Sequence, residues 1–483
     1  MSIWKMPASH RESARHDDAC QSSLPRIIEG GTGTAALERV SGAVESALAQ
    51  RTNAQVPRPL FVVAPNTNRE AAQKELSSLH IPRGAGVLLR TSGSTTGQGK
   101  IVALPWDTLL YSGEATHSFL GGAGTWINTL PLHHIAGFQT VVRSVAAGFV
   151  PLYVPIRSTH HEQIAPKWHN LAAQKCPNQR FYISLVPTQL LRLLDDAELL
   201  SVVARVVDAV VVGGAASSPG LLERARHAGL NVVTSYGMTE TCGGCVYDGV
   251  AIGDTIVSLD DDARISLTGS VVGLGYLMPP DQSNLPAAQE LPAGARRVHE
   301  TADYGCWKAD KLHVLGRIDD AVTTGGLTVI PQLIEEAIFD CTGIDAVVVG
   351  IPDPTWGECA VAVLKNDVSN TDLRGVLNEK LERGWTPKHI VTLENLFSRS
   401  QEDRNVSPPS ASSQSTSPHD DALSHKVSSH HAWRESRSEW PQTSSGKIDR
   451  RKIRNEVIAY FAHIGDKPIS DNAINDELAT DSH

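Results

Sequence analysis

A strand, a helix and a second strand follow one another in the middle of the chain, and this unit constrains the fold more than any other feature. Residues 206–212 (VVDAVVV) are mostly β-branched, which predicts a buried strand, and the glycines at 213–214 predict a tight turn. Ser218 before Pro219 is typical of a helix start, since serine caps the first turn and proline fits the first helical position. We expect a helix over 220–227, ended by the nearby glycine.

The second strand of the unit is predicted over residues 231–235, and it delivers the segment 236–240 as a loop at its carboxyl end. A crossover through a helix joins parallel strands, and ligands of open α/β sheets bind at the carboxyl edge. Short β-type runs alternate with amphipathic stretches from 59 to 300, which is typical of an α/β domain with buried strands. Residues 236–240 are therefore expected to belong to a ligand site.

The length of 483 residues is too great for one ordinary domain, so at least two are expected. Composition changes near Arg317, with a helix expected before it at 35–50 and a strand after it at 346–350. Residues 398–438 are rich in serine, histidine and proline, which predicts a disordered insertion because they can bury little apolar surface. The predicted parts are an N-terminal domain (1–317), a C-terminal domain holding this insertion (318–465) and an acidic tail (466–483).

The charge balance narrows the function classes, because 43 basic and 53 acidic residues give a net charge of −10. Nucleic-acid and anionic-membrane binders present concentrated lysine and arginine, so neither class is expected. The sequence has no signal-peptide core and no apolar run that could span a bilayer, so we expect a cytoplasmic protein. Seven cysteines show no disulfide framework, and Cys242-x-x-Cys245 has no second pair at zinc spacing, which favours two small residues beside a turn over a metal or redox site.

A dense run of hydroxyl, glycine and lysine residues extends from Thr91 to Lys100 (TSGSTTGQGK). Amides, hydroxyls and an ammonium this close together can surround phosphate oxygens with donors. The run is not a Walker-type P-loop, because Ser94 stands where that motif needs glycine and Ile101 where it needs serine or threonine. Taken alone, the run fits a phosphate site or a polar turn equally well.

This run resembles the phosphate-binding signature of the acyl-adenylate-forming superfamily, which includes acyl-CoA synthetases, peptide-synthetase adenylation domains and luciferases. Further motifs of that superfamily are matched in the same order along the chain, at 130–137 (LPLHHIAG), 235–240 (SYGMTE), 301–303 (TAD), 316–320 (GRIDD) and 441–450 (PQTSSGKIDR). Each match alone is weak, whereas the ordered set is specific. The resemblance implies a large multi-sheet α/β N-terminal domain, a small mobile α+β C-terminal domain, and an enzyme that uses ATP and Mg²⁺.

The resemblance also implies roles for the matched polar residues. Tyr236 would stack on adenine, Thr239 would contact the α-phosphate, and Glu240 would hold Mg²⁺, a hard ion that binds through few protein ligands plus phosphates. Asp303 would accept both ribose hydroxyls, assisted by Arg317. The implied ATP- and AMP-binding set is Thr91, Ser92, Gly93, Ser94, Thr95, Thr96, Gly97, Lys100, Gly213, Gly214, Ala215, Ser235, Tyr236, Gly237, Thr239, Asp303 and Arg317. Their structural alternatives are a core tyrosine, a surface acid and an Asp–Arg ion pair.

Lys447, inside the last motif, is predicted to be the adenylation lysine, with His134, Thr239 and Glu240 as the other catalytic residues. Carboxylate and triphosphate repel each other, so a cation is needed where the bridging oxygen develops. A lysine suits this task because its flexible stem lets a point charge enter and leave. The structural alternative for Lys447 is an exposed surface lysine.

The superfamily passes the activated acyl group to a thiol after its C-terminal domain rotates, which implies coenzyme A as a co-substrate. The hinge would be Asp319, because a residue at the end of an element can absorb a large dihedral change. The rotation would withdraw Lys447 and bring up a thiol-tunnel loop that includes Gly325, Gly326 and Leu327.

Two stretches, 130–148 and 211–249, resemble the o-succinylbenzoate:CoA ligases of menaquinone biosynthesis in particular. That substrate has an aromatic ring and two carboxylates, so a cation or several donors must meet the carboxylate that does not react, beside an apolar slot. The candidate acid-binding residues are His134, Gln139, Arg143 and Gly243. A helix-surface arginine is the alternative interpretation of the third of them.

The motifs depart from the superfamily pattern at two positions. The phosphate-binding run is one residue longer, with Gly99 where proline is expected, and Ala302 replaces the glycine of the TGD motif. Other functions remain open: a different aryl- or acyl-CoA synthetase, a free-standing adenylation domain that loads a carrier protein, or a catalytically silent nucleotide-binding relative. A homodimer is also left open.

Overall fold

The computed structural model describes residues 24–91, 99–156, 164–279, 296–368, 372–398, 440–443 and 446–464. Within these ranges the strands are β1 (Arg26–Glu29), β2 (Leu60–Val63), β3 (Val87–Arg90), β4 (Ile101–Leu104), β5 (Thr125–Asn128), β6 (Leu152–Tyr153), β7 (Phe181–Leu185), β8 (Ala209–Gly213), β9 (Val232–Met238), β10 (Gly243–Tyr247), β11 (Val250–Ala251), β12 (Ile256–Leu259), β13 (Arg264–Thr268), β14 (Gly275–Tyr276), β15 (Val298–Lys308), β16 (Lys311–Arg317), β17 (Val322–Thr324), β18 (Leu327–Val329), β19 (Ala346–Asp353), β20 (Gly357–Leu364) and β21 (His389–Thr392). The helices are α1 (Thr34–Thr52), α2 (Arg69–Ser77), α3 (Trp106–Phe119), α4 (Ile135–Ala146), α5 (Ile164–Gln174), α6 (Pro187–Asp195), α7 (Ala197–Val206), α8 (Pro219–His227), α9 (Pro331–Thr342), α10 (Leu373–Lys380), α11 (Leu393–Ser398) and α12 (Arg450–Ile464).

Two sheets with helices between them form the larger part of the protein. The first has the strand order β1-β2-β3-β4-β14 and the second the order β11-β10-β9-β8-β7-β5-β6. Helices α1 and α4 pack on the first sheet in one apolar core, α3 packs on the second, and α5 to α8 cover its other face. Strands buried on both faces need continuous apolar runs rather than alternation, as in the fully buried Leu60–Val63.

The predicted strand–helix–strand unit is present. Strands β8 and β9 pair in parallel, and Ser218 caps α8 by accepting a hydrogen bond from the Leu221 amide through its Oγ. The first strand starts later than predicted, because Val206 is the last residue of α7 and β8 begins at Ala209. The helix predicted at 35–50 and the strand predicted at 346–350 correspond to α1 and β19.

The segment 236–240 is not the loop that the sequence predicted. Strand β9 continues to Met238 because β10 folds back on it in an antiparallel ladder that places Tyr236 opposite Val246. The loop is confined to one 3-10 turn, Thr239–Thr241, at the carboxyl end of the strand. Thr239 and Glu240 thus lie at the sheet edge where ligands were expected, while Tyr236 is held by the sheet itself.

Two smaller sheets follow. An antiparallel sheet of order β12-β13-β15-β16 places Asp303 directly opposite Arg317. The last sheet has the order β18-β17-β20-β19 with β21 on β20; α9 and α10 cover one face, and α11, α12 and Trp440 cover the other. The expected α/β class with several sheets is confirmed. The domain boundary predicted after residue 317 falls at the end of β16 and stays a prediction. No helix in the described part of the chain is long and apolar enough to cross a bilayer.

Candidate active site

The turn after β9 presents a nearly buried carboxylate at the edge of the second sheet. Glu240 is 8% exposed, and its backbone carbonyl accepts a hydrogen bond of 2.8 Å from the Gly273 amide. Its Oε1 accepts a hydrogen bond from the Tyr276 hydroxyl. Thr239, directly before it, is also buried. Mg²⁺ binds carboxylate oxygens together with phosphate oxygens, so a buried carboxylate that is oriented by a hydrogen bond fits the metal role predicted for Glu240.

A tyrosine, an aspartate and an arginine form a second cluster beside this turn. The Tyr236 hydroxyl donates to Asp303 Oδ2 at 2.7 Å, and Arg317 Nη1 lies 3.5 Å from the other carboxylate oxygen. Burial raises the pKa of Asp303, while the tyrosine hydrogen bond and the arginine charge oppose the rise. The structural alternative of an ion pair between Asp303 and Arg317 is therefore present in the structure. The half-exposed arginine leaves one side of the cluster open to a ligand.

The lysine motif forms a short turned segment before α12. Gln442 and Ile448 pair across it, and the Thr443 amide donates to the Lys447 carbonyl at 2.8 Å. Thr188 Oγ1 of α6 donates to the Gly446 carbonyl at 2.5 Å, which joins the segment to the second sheet's helices. Residues 444–445 lie outside the described residues.

Lys447 points into the site rather than into solvent. A Cβ added to Gly214 would lie 3.3 Å from Lys447 Cε and 3.9 Å from its Nζ. Burial lowers the pKa of Lys447, the positive charge of Arg317 lowers it further, and Asp303 opposes both effects. The alternative of an exposed surface lysine is therefore wrong. The structure brings together an ammonium from the last motif and the aspartate–arginine pair of two others.

Only the two ends of the phosphate-binding run are described. The Thr91 amide donates to the Lys100 carbonyl at 2.9 Å, and the Lys100 amide donates to Thr91 Oγ1 at 3.1 Å, so the ends are paired. A Cβ on Gly99 would lie only 2.0 Å from the Thr91 carbonyl oxygen, which explains why proline is absent there. The predicted phosphate-binding residues outside the described ranges are Ser92, Gly93, Ser94, Thr95, Thr96 and Gly97.

Three of the four predicted acid-binding residues lie on helix α4 or directly before it. His134 is the N-cap of α4, and both of its ring nitrogens are buried without a hydrogen-bond partner in the part of the chain that the structure describes. Burial, with smaller effects of His133 and Lys447, lowers the pKa of His134 to about 4, so its imidazole is neutral at physiological pH. Gln139 is fully buried, and its Nε2 donates to the Leu109 and Cys242 carbonyls. Its Oε1 has no partner among the described residues.

Arg143 is the residue whose placement differs most from its structural alternative. It is 4% exposed, so the interpretation as a helix-surface arginine is wrong. Its guanidinium lies 4.6 Å from the centre of the Trp126 ring and donates to the Tyr247 hydroxyl at 3.2 Å, while Nε has no partner in the described ranges. No ion pair joins it to a carboxylate within the described ranges. A buried charge without a counter-ion is costly, which points to an anionic ligand.

Gly243 is the first residue of β10 and is buried where this strand meets α4. A Cβ added to it would lie 3.6 Å from Gln139 Cγ and 3.9 Å from Arg143 Nη2. Its φ of +99° is one that residues with side chains rarely adopt. The structure thus brings Gln139, Arg143 and Gly243 together. The fourth predicted acid-binding residue, His134, lies at the N-terminus of α4.

The predicted hinge and thiol-tunnel loop lie next to the site cluster and on the last sheet, respectively. Asp319 is in the turn Ile318–Asp320 and accepts a 2.7 Å hydrogen bond from Arg317 Nη2. Gly325 donates its amide to the Trp356 carbonyl at 3.0 Å, and Leu327 is 46% exposed. These contacts do not test the predicted rotation, which stays a prediction.

Sequence reasoning missed several contacts that position the site. Arg450, partly buried behind the lysine segment, forms a two-pronged ion pair with Glu335 at 2.6 and 2.7 Å. His299 lies on the same face of β15 as Asp303, and burial lowers its pKa while Glu240 and Asp303 oppose the shift. Of these residues, only Arg450 carried a sequence signal, because it belongs to the last motif. Its partner Glu335 lies 115 residues away in the sequence and gave no signal.

The CxxC pair has no access to solvent. Cys242 and Cys245 are both fully buried, and burial raises the pKa of both thiols, that of Cys245 to about 12. Cys242 has a φ of +54° at the end of the turn that holds Glu240. Both thiols are therefore protonated packing groups beside the turn at ordinary pH.

Comparison with known proteins agrees with this geometry. Residues 47–279 match the family model described as AMP-binding enzyme. The chain is 35% identical over 278 residues to a probable 2-succinylbenzoate–CoA ligase of Mycobacterium tuberculosis, covering 57% of this chain and 70% of that protein. It is 28% identical over 326 residues to a 2-succinylbenzoate–CoA ligase of Staphylococcus epidermidis, covering 64% and 66%.

Solved structures show the same fold at lower identity. The Bacillus subtilis o-succinylbenzoate CoA synthetase MenE in complex with OSB-AMP matches with a TM-score of 0.55 and 18% identity, covering 90% of this chain and 96% of that one. Wild-type Escherichia coli MenE, with a bound analogue of OSB-AMS, matches with a TM-score of 0.53 and 22% identity, covering 77% and 86%. The sequence match to the Mycobacterium tuberculosis protein, together with the site, places this chain in the AMP-binding enzyme family, among relatives named 2-succinylbenzoate–CoA ligase.

Proposed function

We propose that this protein is an ATP-dependent, AMP-forming acid:CoA ligase that converts 2-succinylbenzoate to 2-succinylbenzoyl-CoA, a step of menaquinone biosynthesis. The observation that carries the proposal is the position of Lys447, which lies beside Gly214 and close enough to Arg317, Asp303 and His134 for their charges and pKa values to interact. The relatives named 2-succinylbenzoate–CoA ligase support the choice of acid.

In the first half-reaction, a carboxylate oxygen of the acid attacks the α-phosphorus of ATP, and the bond to the pyrophosphate leaving group breaks. Asp303 would accept the ribose hydroxyls, and Thr239 would donate to the α-phosphate from the turn after β9. The Lys447 ammonium would stabilise the negative charge shared by the two anions. Mg²⁺ held by Glu240 would offset the charge of the triphosphate.

In the second half-reaction, the sulfur of coenzyme A attacks the acyl carbon and AMP leaves. We propose that residues 318–465 then rotate about Asp319, which would withdraw Lys447 and bring Gly325, Gly326 and Leu327 to the acyl group. The rotation would break the hydrogen bond that Thr188 donates to the Gly446 carbonyl. The predicted insertion at 398–438 ends just before this segment.

The acid is proposed to lie along α4, with its reacting carboxylate near His134 and Lys447. A neutral His134 can donate one hydrogen bond without adding charge. The second carboxylate would meet Arg143, whose guanidinium has no acidic partner in the described part of the chain. Trp126 would supply apolar surface beside the same guanidinium.

ATP and coenzyme A are cytoplasmic metabolites, so we place the reaction in the cytoplasm. A homodimer stays a prediction, which light scattering can test. Neither point bears on the chemistry of the site.

The test is pyrophosphate release over a panel of acids, with the acyl-CoA product identified by mass spectrometry. We expect 2-succinylbenzoate to give the highest kcat/KM, and benzoate, which lacks the second carboxylate, to fall well below it. Release without any preference for 2-succinylbenzoate would overturn the specific assignment. Acyl transfer to a carrier-protein phosphopantetheine but not to coenzyme A would favour a free-standing adenylation domain.

A further inference from the structure

Residues 273–277, which we call the bridging segment, join the turn that holds Glu240 to the strand that follows the phosphate-binding run. The Gly273 amide donates to the Glu240 carbonyl, and the Leu274 amide donates to the Ala103 carbonyl, both at 2.8 Å. A Cβ on Gly273 would lie 2.8 Å from a side-chain carbon of Leu104, so the segment packs directly on β4. Backbone contacts therefore fix the distance between two predicted phosphate-side elements.

Tyr276, the fourth residue of this segment, contacts both elements with its side chain. Its strand β14 pairs with β4, where it stands opposite Val102, two residues after Lys100. Its hydroxyl donates to Glu240 Oε1 at 2.5 Å. The Lys100 ammonium lies 4.8 Å from the centre of its ring. One half-buried side chain thus contacts the predicted metal carboxylate and the predicted phosphate-binding ammonium.

We propose that Tyr276 is a positioning residue that holds Glu240 and Lys100 in register for a metal-bound triphosphate. The proposal rests on the proposed function, because it assigns the tyrosine to the adenylation half-reaction. No motif matched in the sequence contains this residue.

The hydroxyl of Tyr276 positions Glu240, and its ring positions Lys100. The hydroxyl donates to one carboxylate oxygen, which orients the side chain and would leave Oε2 to meet a cation. Hydrogen-bond partners behind a metal ligand commonly change metal affinity by about 10–100-fold. The ring face attracts the Lys100 ammonium, which otherwise stands exposed on a flexible stem.

Two variants separate the role of the Tyr276 hydroxyl from that of its ring. Tyr276→Phe keeps the ring, the packing and the contact with Lys100, and removes only the hydroxyl. Tyr276→Leu removes the ring as well. The two variants therefore separate the carboxylate contact from the ammonium contact.

The experiment measures Mn²⁺ binding by electron paramagnetic resonance, with an ATP analogue whose α–β bridge is a methylene group. For Tyr276→Phe we expect Mn²⁺ affinity to fall about tenfold or more, with metal-free binding of the analogue unchanged in calorimetry. For Tyr276→Leu we expect a further loss of about threefold in metal-free binding of the analogue. Tyr182→Phe removes a buried hydroxyl that donates to the Gly122 carbonyl, away from Glu240, and should match the wild-type protein.

A second measurement guards against a general structural effect. In a Glu240→Gln background, Tyr276→Phe should weaken Mn²⁺ binding no further, because the tyrosine acts through that carboxylate. Mn²⁺ affinity of Tyr276→Phe within twofold of wild type, or additive losses in the double variant, would overturn the proposal. If the wild-type protein binds Mn²⁺ with the analogue but none of the acids in the panel causes pyrophosphate release, the proposed function is overturned. The Mn²⁺ measurements on the Tyr276 variants would still test the role of Tyr276.

Discussion

The two sides of the site satisfy their polar groups in opposite ways. On the nucleotide side, Tyr236 donates to Asp303, Arg317 pairs with it, and Tyr276 donates to Glu240. On the acid side, atoms of three residues on or next to α4 are buried without a partner among the described residues, namely both ring nitrogens of His134, Oε1 of Gln139 and Nε of Arg143. Buried polar groups without partners are costly, so their clustering indicates a ligand that supplies them.

The difference has a functional meaning. ATP brings its own charges and its metal, so its side of the site can be held ready by internal hydrogen bonds that reorganise little on binding. The acid must be recognised by shape and by the position of its carboxylates, so its side keeps polar atoms, among them the donor Arg143 Nε, without protein partners in the described part of the chain. Specificity for the acid should therefore depend on α4, and the affinity for ATP on the other cluster.

The largest effect is expected where the two sides meet, at Lys447. We expect Lys447→Ala to lower acyl-AMP formation by about 10²–10³-fold, because one pre-positioned charge at the developing oxyanion is lost. Thioester formation from preformed acyl-AMP should be largely intact. Pyrophosphate release and single-turnover thioester formation measure the two steps.

The matched control is Lys452→Ala, which removes an exposed lysine of α12 and should leave both steps unchanged. Equal losses of both steps in Lys447→Ala would contradict the division of labour between the two conformations.

An intermediate effect is expected on the acid side alone. We expect Arg143→Met to lower kcat/KM for 2-succinylbenzoate by about 10–100-fold through KM, because a charged hydrogen bond to the second carboxylate is lost. The KM for ATP should not change, and benzoate should be used as before. Steady-state kinetics with each substrate varied in turn measure this split.

Arg226→Met on α8, which removes an exposed arginine, is the control for Arg143→Met. If Arg143 were only a packing residue, its replacement would lower the unfolding temperature and leave the acid KM unchanged, and the contrast between the two sides would lose its main support.

The smallest effect concerns stability and pH. Burial lowers the pKa of both His117 and His134 to about 4, with Arg143 adding to the shift of His117. The unfolded chain binds protons at these residues below about pH 6.5 while the folded protein does not, so stability falls as pH drops from 6.5 toward 4. The loss is about 1 kcal/mol per histidine between about pH 7.5 and 5.5.

This pH dependence can be measured by thermal unfolding at the two pH values. His117→Gln should reduce the loss by about half of the two-histidine total, whereas His227→Gln on the exposed end of α8 should not alter it. An unchanged pH dependence in His117→Gln would show that this histidine is protonated in the folded protein.

The chain's local patterns sufficed for much of the fold. The cap at Ser218, the β-branched run before it and the returning strand predicted a parallel pair that is present. The exact ends were not predictable, because Val206 belongs to a helix and Tyr236 to a strand only through packing and pairing with distant residues. Residues 236–238 could not be recognised as strand without knowing that β10 folds back on them.

For the site, the sequence alone determined which residue types were available and in which order: the phosphate-binding run, the Tyr236–Glu240 segment, Asp303, Arg317 and Lys447. Only the tertiary structure decided that Arg143 is buried rather than on a helix surface, and that Lys447 reaches Gly214 across a long sequence separation. The reason is physical: hydroxyl, carboxylate and guanidinium chemistry is local to a residue, whereas burial and the choice of partner depend on which segments the core brings together. Tyr276 shows this most clearly, because it carries no motif and its role arises entirely from its contacts with Glu240 and Lys100.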